Sequence, residues 1–245
     1  METTIELIHE QARQIIALLG LHASPVGVCL VTEPEPHDNR GMRLQQHRYC
    51  QALMKARHGE TVSLDASGIA CPAAAAAFGF RPLPEGLKSG QGLVGFGIVS
   101  DPDVGRKMFE NMPGLPQGKI TRLELFPLEK AARIPDIIVI EDEVEKLMWL
   151  NLAYLNVTCG ERLTGSTAIL QATCVDSTII PYQENRLNFG FGCYGCREAT
   201  DLAPNETVIG FPVLYLSDMV KALENLSQKA IPNSRAKKVY AKIAT

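Results

Sequence analysis

The first twenty residues place Ile5, Ile8, Ala12, Ile15, Ile16 and Leu19 on one stripe of helical period, and Gly20 follows where a helix needs a left-handed stop. An amphipathic helix therefore opens the fold. Pro25-Val26-Gly27-Val28-Cys29-Leu30-Val31-Thr32 is a short β-branched run, closed by the turn-rich segment from Glu33 to Asn39, and it reads as a buried strand. Met42 to Arg57 returns to helical spacing, with Cys50, Leu53, Met54 and Arg57 on one face. Thr61 to Asp65 alternates as a strand. Cys71-Pro72 then starts a short helix, with proline at its first position and Gly79 beyond its end.

Further along, strands are predicted at Gly92 to Ser100, Lys119 to Phe126, Ile137 to Ile140, Leu187 to Gly192 and Thr207 to Phe211. Helices are predicted at Asp103 to Asn111, from Asp142 to about Tyr154, at Ser166 to Ile179 and at Pro212 to Ser227, and the basic tail from Lys229 to Lys242 is also read as helical. Asp142, Glu143 and Glu145 fall in a first helical turn, where acids complement the helix dipole, so they receive no functional role. The expected class is α/β, with α+β as the alternative: mixed sheet flanked by helices in one globular domain.

The two halves of the chain can be laid on each other in order. Pro25 matches Pro135, and Val94-Gly95-Phe96 matches Ile209-Gly210-Phe211. Cys50 and Cys174 are 124 residues apart and Cys71 and Cys193 are 122 apart, collinear with the other matches. A single domain spanning 1–245 is expected from two pseudo-symmetric repeats, about 1–115 and about 116–230, with a basic tail at 231–245.

Composition narrows the class without naming a partner. Of 245 residues 46% are hydrophobic and 21% charged, which excludes a mainly disordered chain. A net charge of −3 gives no electrostatic footprint for nucleic acid or an anionic membrane. The acidic start Met1-Glu2-Thr3-Thr4-Ile5-Glu6 is unlike a signal peptide and no stretch reaches membrane-span length, so a cytoplasmic location is expected.

Seven cysteines are many for a reducing compartment, and their odd number suits metal or thiol chemistry better than a closed set of disulfides. Cys29 sits mid-strand and is read as core. Cys71, at a helix N-cap, is expected to be acidified towards thiolate. Cys193-Tyr194-Gly195-Cys196 is the one local pair. It is open to three readings: both thiols on one metal, Cys193 alone with Cys196 free beside it, or a redox dithiol. If the halves pack as mates, Cys50, Cys71, Cys174 and Cys193 converge, and four thiolates held close require a cation or cluster to neutralise them. Arg48 and Arg197, each beside a candidate ligand, are expected to offset cluster charge or grip an anion. His9, His22, His37, His47 and His58 are read as solvated or hydrogen-bonded. Gly90-Gln91-Gly92-Leu93-Val94-Gly95 satisfies a dinucleotide fingerprint letter by letter but lacks the preceding strand and following helix, so it is set aside.

Pro25-Val26-Gly27-Val28, Arg48-Tyr49-Cys50, Phe126-Pro127-Leu128-Glu129, Ala172-Thr173-Cys174 and Gly192-Cys193-Tyr194-Gly195-Cys196-Arg197 together resemble the uncharacterised prokaryotic family termed domain of unknown function 169. The resemblance spans nearly the whole chain. It implies a single-domain family frequent in anaerobic archaea and bacteria, without an established activity. It supports the choice of Cys50, Cys71, Cys174 and Cys193 and leaves Cys196 open, because small residues are tolerated there in the family.

The leading expectation is a cysteine-ligated [4Fe–4S] protein. Cys50, Cys71, Cys174 and Cys193 would bind the cluster, and Cys196, Arg197 and Arg48 would be the reactive or anion-gripping groups. An oxidoreductase or lyase acting on a small substrate, or an electron carrier with a partner protein, fits this set. The alternatives are a zinc-stabilised binding module without catalysis and a metal-free thiol-redox enzyme using Cys193 and Cys196.

Overall fold

The computed structural model describes residues 3–33 and 41–244. His37 and most of the segment from Glu33 to Asn39 lie outside the described residues. In chain order the elements are α1 (Ile5–Leu19), β1 (Val26–Val31), β2 (Met42–Arg43), α2 (Tyr49–Arg57), β3 (Val62–Asp65), α3 (Pro72–Ala77), α4 (Glu85–Lys88), α5 (Gln91–Gly95), α6 (Pro102–Glu110) and β4 (Arg122–Pro127). The second part comprises β5 (Ile137–Glu143), α7 (Val144–Val157), a π-helix (Ala172–Ile179), α8 (Ile180–Glu184), β6 (Asn188–Gly190), α9 (Tyr194–Ala199), β7 (Glu206–Pro212), α10 (Leu216–Gln228), α11 (Ala230–Arg235) and α12 (Lys238–Ile243). The fold is a mixed α/β arrangement, as the alternating patterns predict.

One seven-stranded sheet has the order β2-β3-β4-β1-β5-β7-β6. Only the β2–β3 pair is parallel. The antiparallel centre is β1 against β5, with Val26 opposite Val139. On either side the pairing repeats: Val26 faces Pro127 of β4, and Ile137 faces Pro212 of β7. The next strand out is β3 on β4 in the first half and β6 on β7 in the second.

Period-two alternation sorts each central strand onto two cores. Val26, Val28, Leu30, Ile137 and Val139 pack beneath α2, α3 and the π-helix. Cys29, Val31, Ile138, Ile140, Ile209 and Phe211 pack beneath α1, α7 and α10. Cys29 is thus on the face away from the other candidate cysteines, its thiol donating to the Ile134 carbonyl at 3.6 Å. Burial, with Asp136 beside it, pushes that thiol up to about 12, so it is the core residue its position suggests.

Four expectations need correction. Gly92 to Ser100 is not a strand: Gly90, at φ 81° and N-terminal to α5, turns the chain, and Gln91–Gly95 is one helical turn. The strand that stands to β1 as β7 stands to β5 is β4, so Val94-Gly95-Phe96 is not the counterpart of Ile209-Gly210-Phe211. The helix predicted from Met42 begins only at Tyr49, because Met42 and Arg43 pair with β3. The helix predicted from Ser166 begins at Ala172 and is of the π type, all eight of its residues buried. Among the described residues no helix is long and apolar enough to cross a membrane.

The π-helix lies directly on β7. A Cβ at Gly210 would stand 1.8 Å from the Ser177 carbonyl oxygen, which no rotamer change relieves. Gly210→Ala is expected to cost about 4 kcal/mol or more, or to prevent folding. Gly86→Ala, which meets open space, is expected to melt within a few degrees of the parent; comparison of the two thermal transitions checks this.

Candidate functional site

Five of the seven cysteines come to one region on the α2 face of the sheet. Cys50 lies in the first turn of α2, Cys71 is the N-cap of α3, Cys174 is inside the π-helix, Cys193 is the N-cap of α9 and Cys196 is in its first turn. Cys71 and Cys193 pack against the core that contains Cys174, while Cys50 and Cys196 form a small buried cluster with Leu202 that Cys193 also touches. Cys159 is exposed and elsewhere.

Two strand-to-helix junctions deliver ligand-type residues in the same way. In each, β3 or β6 ends and a cysteine caps the next short helix: Pro72 fixes the first turn after Cys71, and Gly192, at φ 78°, turns the chain into Cys193. The Cys196 backbone N–H donates to Cys193 Sγ at 3.4 Å.

The thiols are close enough to govern one another. Cys193 Sγ and Cys196 Sγ are 3.1 Å apart, and Thr173 Oγ1 is 3.3 Å from Cys196 Sγ. The Cys193 thiol is pushed far up, first by its hydrogen bond with Cys196 and then by burial. For Cys196 the bond from Cys193 lowers the value, but a bond with Cys50 and burial outweigh it and raise the thiol to about 12. Cys174 is raised by burial first, then by the negative charge of Cys71, Cys193 and Cys196. Burial and neighbouring thiols thus favour the protonated form of Cys174, Cys193 and Cys196.

Arg48 supplies positive charge beside Cys50 and Cys71. Its Nη1 donates to Glu198 Oε2 at 2.7 Å and to the Gly195 carbonyl at 3.1 Å, joining α2 to α9. Arg197 is used differently from the expectation its place in the sequence raises. Its guanidinium is spent on the backbone, donating to the carbonyls of Phe191, Ala203 and Glu206, and so it shapes the loop ahead of Cys193 rather than meeting a ligand. His47 Nδ1 contacts the Gln45 carbonyl at 2.7 Å, and His9, His22 and His58 likewise have polar partners.

Sequence patterning missed the polar chain behind the cysteines. Tyr49 hydroxyl meets Thr178 Oγ1 at 2.8 Å, Thr178 Oγ1 donates to the Thr173 carbonyl at 2.8 Å, and Thr173 reaches Cys196. Asp176, 2% exposed, accepts from Thr167 Oγ1 at 2.5 Å, and burial raises its carboxyl to about 7. The signal in the sequence was the run Thr173-Cys174-Val175-Asp176-Ser177-Thr178, too polar for a core helix and without an amphipathic face.

Among the described residues no three cysteine sulfurs lie within 4.8 Å of one another, and the group that meets that spacing is His22, Asp142 and Glu143. There the Lys146 ammonium already occupies the carboxylates, at 2.9 Å from Asp142 and 3.4 Å from Glu143.

The family model for domain of unknown function 169, described as an uncharacterised ArCR family, matches residues 14–222. The chain belongs to this family. It is also similar to the uncharacterised protein MJ0308 of Methanocaldococcus jannaschii, at 28% identity over 224 residues covering 90% of this chain and 95% of that one. No solved structure matches. Within this member of the family, Arg48-Tyr49-Cys50, Ala172-Thr173-Cys174 and Cys193 to Arg197, which carry the resemblance, all fall in the region just described.

The far end of α2 is anchored by charge. Arg57, 8% exposed, meets Glu141 at 3.0 Å, Asp201 at 3.4 Å and Glu206 at 3.6 Å. Burial pushes the Glu141 carboxyl up to about 7 against the pull of Arg57, with Glu206 and Asp201 adding repulsion. Since its ordinary value is 4.5, the folded state holds the extra proton between about pH 4.5 and 7, and stability falls as pH rises through that window. Denaturant midpoints are expected to be higher at pH 5.5 than at 7.5, with roughly 2 kcal/mol at most from Glu141. Glu141→Gln is expected to remove that share and leave the part carried by Asp176, which has the same sign.

Proposed function

We propose that Cys50, Cys71, Cys174 and Cys193 hold an iron–sulfur centre beside Cys196 and that this family member carries out redox or cluster-based chemistry on a small substrate. The observation that supports it is the meeting of Cys50, Cys71, Cys174 and Cys193 from four separate segments, with Cys196 as a fifth thiol and Arg48 as a neighbouring cation. Thiols kept neutral by burial and by one another are poorly placed to act as free thiolates and well placed for a centre that draws off their protons. A [4Fe–4S] group bound there supplies one-electron transfer, or Lewis-acid chemistry at an iron lacking a protein ligand. This chain's own contribution is to exclude water around Cys50, Cys174 and Cys196, offset anionic charge with Arg48, and hold Cys196 by the Thr173 hydroxyl.

Zinc fits the spacing less well. Tetrahedral thiolates at about 2.3 Å from zinc lie about 3.8 Å apart. Cys193 and Cys196, at 3.1 Å, are of that order, but among the described residues no third sulfur lies within 4.8 Å of both. That same 3.1 Å contact favours a second reading, a dithiol. In it the two thiols exchange with a disulfide substrate: Cys193 and Cys196 lose two protons and two electrons and form one S–S bond, and the substrate's S–S bond is reduced to two thiols. The recurrence of β3-β4-β1 pairing as β6-β7-β5 supports the further proposal that the chain is a duplication, with units β1 to β4 and β5 to β7 and hence a boundary after Pro127 rather than near residue 115.

Iron, zinc and acid-labile sulfide on protein purified without oxygen, with a visible spectrum, test these readings. About four irons and four sulfides per chain with a broad band near roughly 400 nm are expected, and Cys50→Ser and Cys174→Ser are each expected to lose most of the iron. Full iron retention in both variants would sink the four-segment site. One zinc in a colourless protein would make it a zinc-stabilised module, and no metal with Cys193 and Cys196 readily oxidised to a disulfide would make it a dithiol enzyme.

A further inference from the structure

We propose that the cleft between α6 and the start of the π-helix binds a small carboxylic acid bearing an apolar chain or ring. The cleft holds about 400 Å³, within the size range of small-molecule sites. It lies beside the cysteines: Gln171, part of its wall, accepts the Cys174 thiol on its backbone carbonyl at 3.6 Å.

The lining has two chemical ends. Val175 and Ile180, both buried, form an apolar interior, and Met108 and Met112 continue it onto α6. Val104, Lys107, Met108 and Asn111 stand at positions three and four apart and so share one stripe of α6. Val104 is 49% exposed on that stripe, an apolar side chain left uncovered. At the rim, the side chains of Lys107, Asn111 and Gln171 have no hydrogen bond or ion pair with the described residues. One ammonium and two carboxamides, without a guanidinium, suit a singly charged carboxylate better than a phosphate dianion. The inner wall carries the Asp176 carboxyl, bonded to Thr167, and among the described residues no cation, whereas Lys107 stands at the rim, so the ligand's acid end faces Lys107 and its apolar end points inward.

The loop that closes this wall is held out of its relaxed state. Ile169 and Gln171 have φ of 58° and 57°, and a β-branched residue in the left-handed region is costly. Such strain is found where a ligand clamp is preset.

The inference gives the proposed small substrate a place and a class, and it rests on the iron–sulfur reading only for the chemistry after binding. Titration calorimetry of the full chain with hydrocinnamate, its alcohol and its amine reads binding alone, at whatever metal content. Hydrocinnamate is expected to bind saturably and about tenfold or more tighter than either analogue, and Lys107→Met to erase most of that preference while the melting curve stays unchanged. Val104→Trp, a change at an exposed position, is expected to weaken all three. Equal binding of the three probes, binding of none, or unaltered preference in Lys107→Met would overturn the proposal. Survival of hydrocinnamate binding in iron-free Cys174→Ser protein would separate its fate from that of the iron–sulfur reading.

Discussion

The π-helix rests on β7 with nothing but a glycine between backbone and backbone, and the placement of the cysteines depends on that contact. Being wholly buried, this helix satisfies its wider turn internally: Ser177 Oγ donates to the Ala172 carbonyl at 3.0 Å and Thr178 Oγ1 to the Thr173 carbonyl at 2.8 Å, each five residues back. Its hydroxyls then reach outward. Thr178 fixes Tyr49 at the head of α2, which sets Cys50, and Thr173 contacts Cys196. One close approach between helix and sheet thus determines where thiols from three elements stand.

Electrostatics then opposes what packing has done. A thiol at a helix N-cap is ordinarily favoured as thiolate, and Cys193 has that position, yet its bond with Cys196 and its burial push it the other way. The Cys196 hydrogen bond and burial together outweigh the partial charge of a six-residue helix. Arg48 supplies the nearby compensating charge, but it is shared with Glu198 and partly open to solvent, so its effect on the thiols is screened. The arrangement therefore favours neutral thiols.

Much of this was legible in the sequence because it depends on local rules. Gly20 closes α1 in the left-handed conformation, Cys71-Pro72 starts α3, and alternation divides β1 and β5 between two cores. The errors arose where tertiary contacts override local pattern. Gly92 to Ser100 has the β-branched content of a strand, but the turn at Gly90 packs against Pro102 and leaves no partner strand to pair with it. A π-helix has no amphipathic signature when both its faces are buried, so Asp176 and Thr173 were invisible to periodicity. Arg197 was misjudged because adjacency to a cysteine says nothing about direction; its side chain turns back onto three carbonyls.

The two sides of the thiol region are tied into the fold by different contacts. Cys50 and Cys174 are fixed by burial, by the Tyr49–Thr178 bond and, at the far end of α2, by the Arg57 cluster. Cys193 and Cys196 ride on α9, whose ties to α2 are the partly exposed Arg48–Glu198 pair, the Arg48 bond to the Gly195 carbonyl and a 3.3 Å bond from Gln51 to the Ala199 carbonyl. Exposed links of this kind are worth about 1 kcal/mol or less each, but Cys196, 3% exposed beside Cys50 and Leu202, is as buried as the thiols of the other side, so burial rather than these links holds α9 in place.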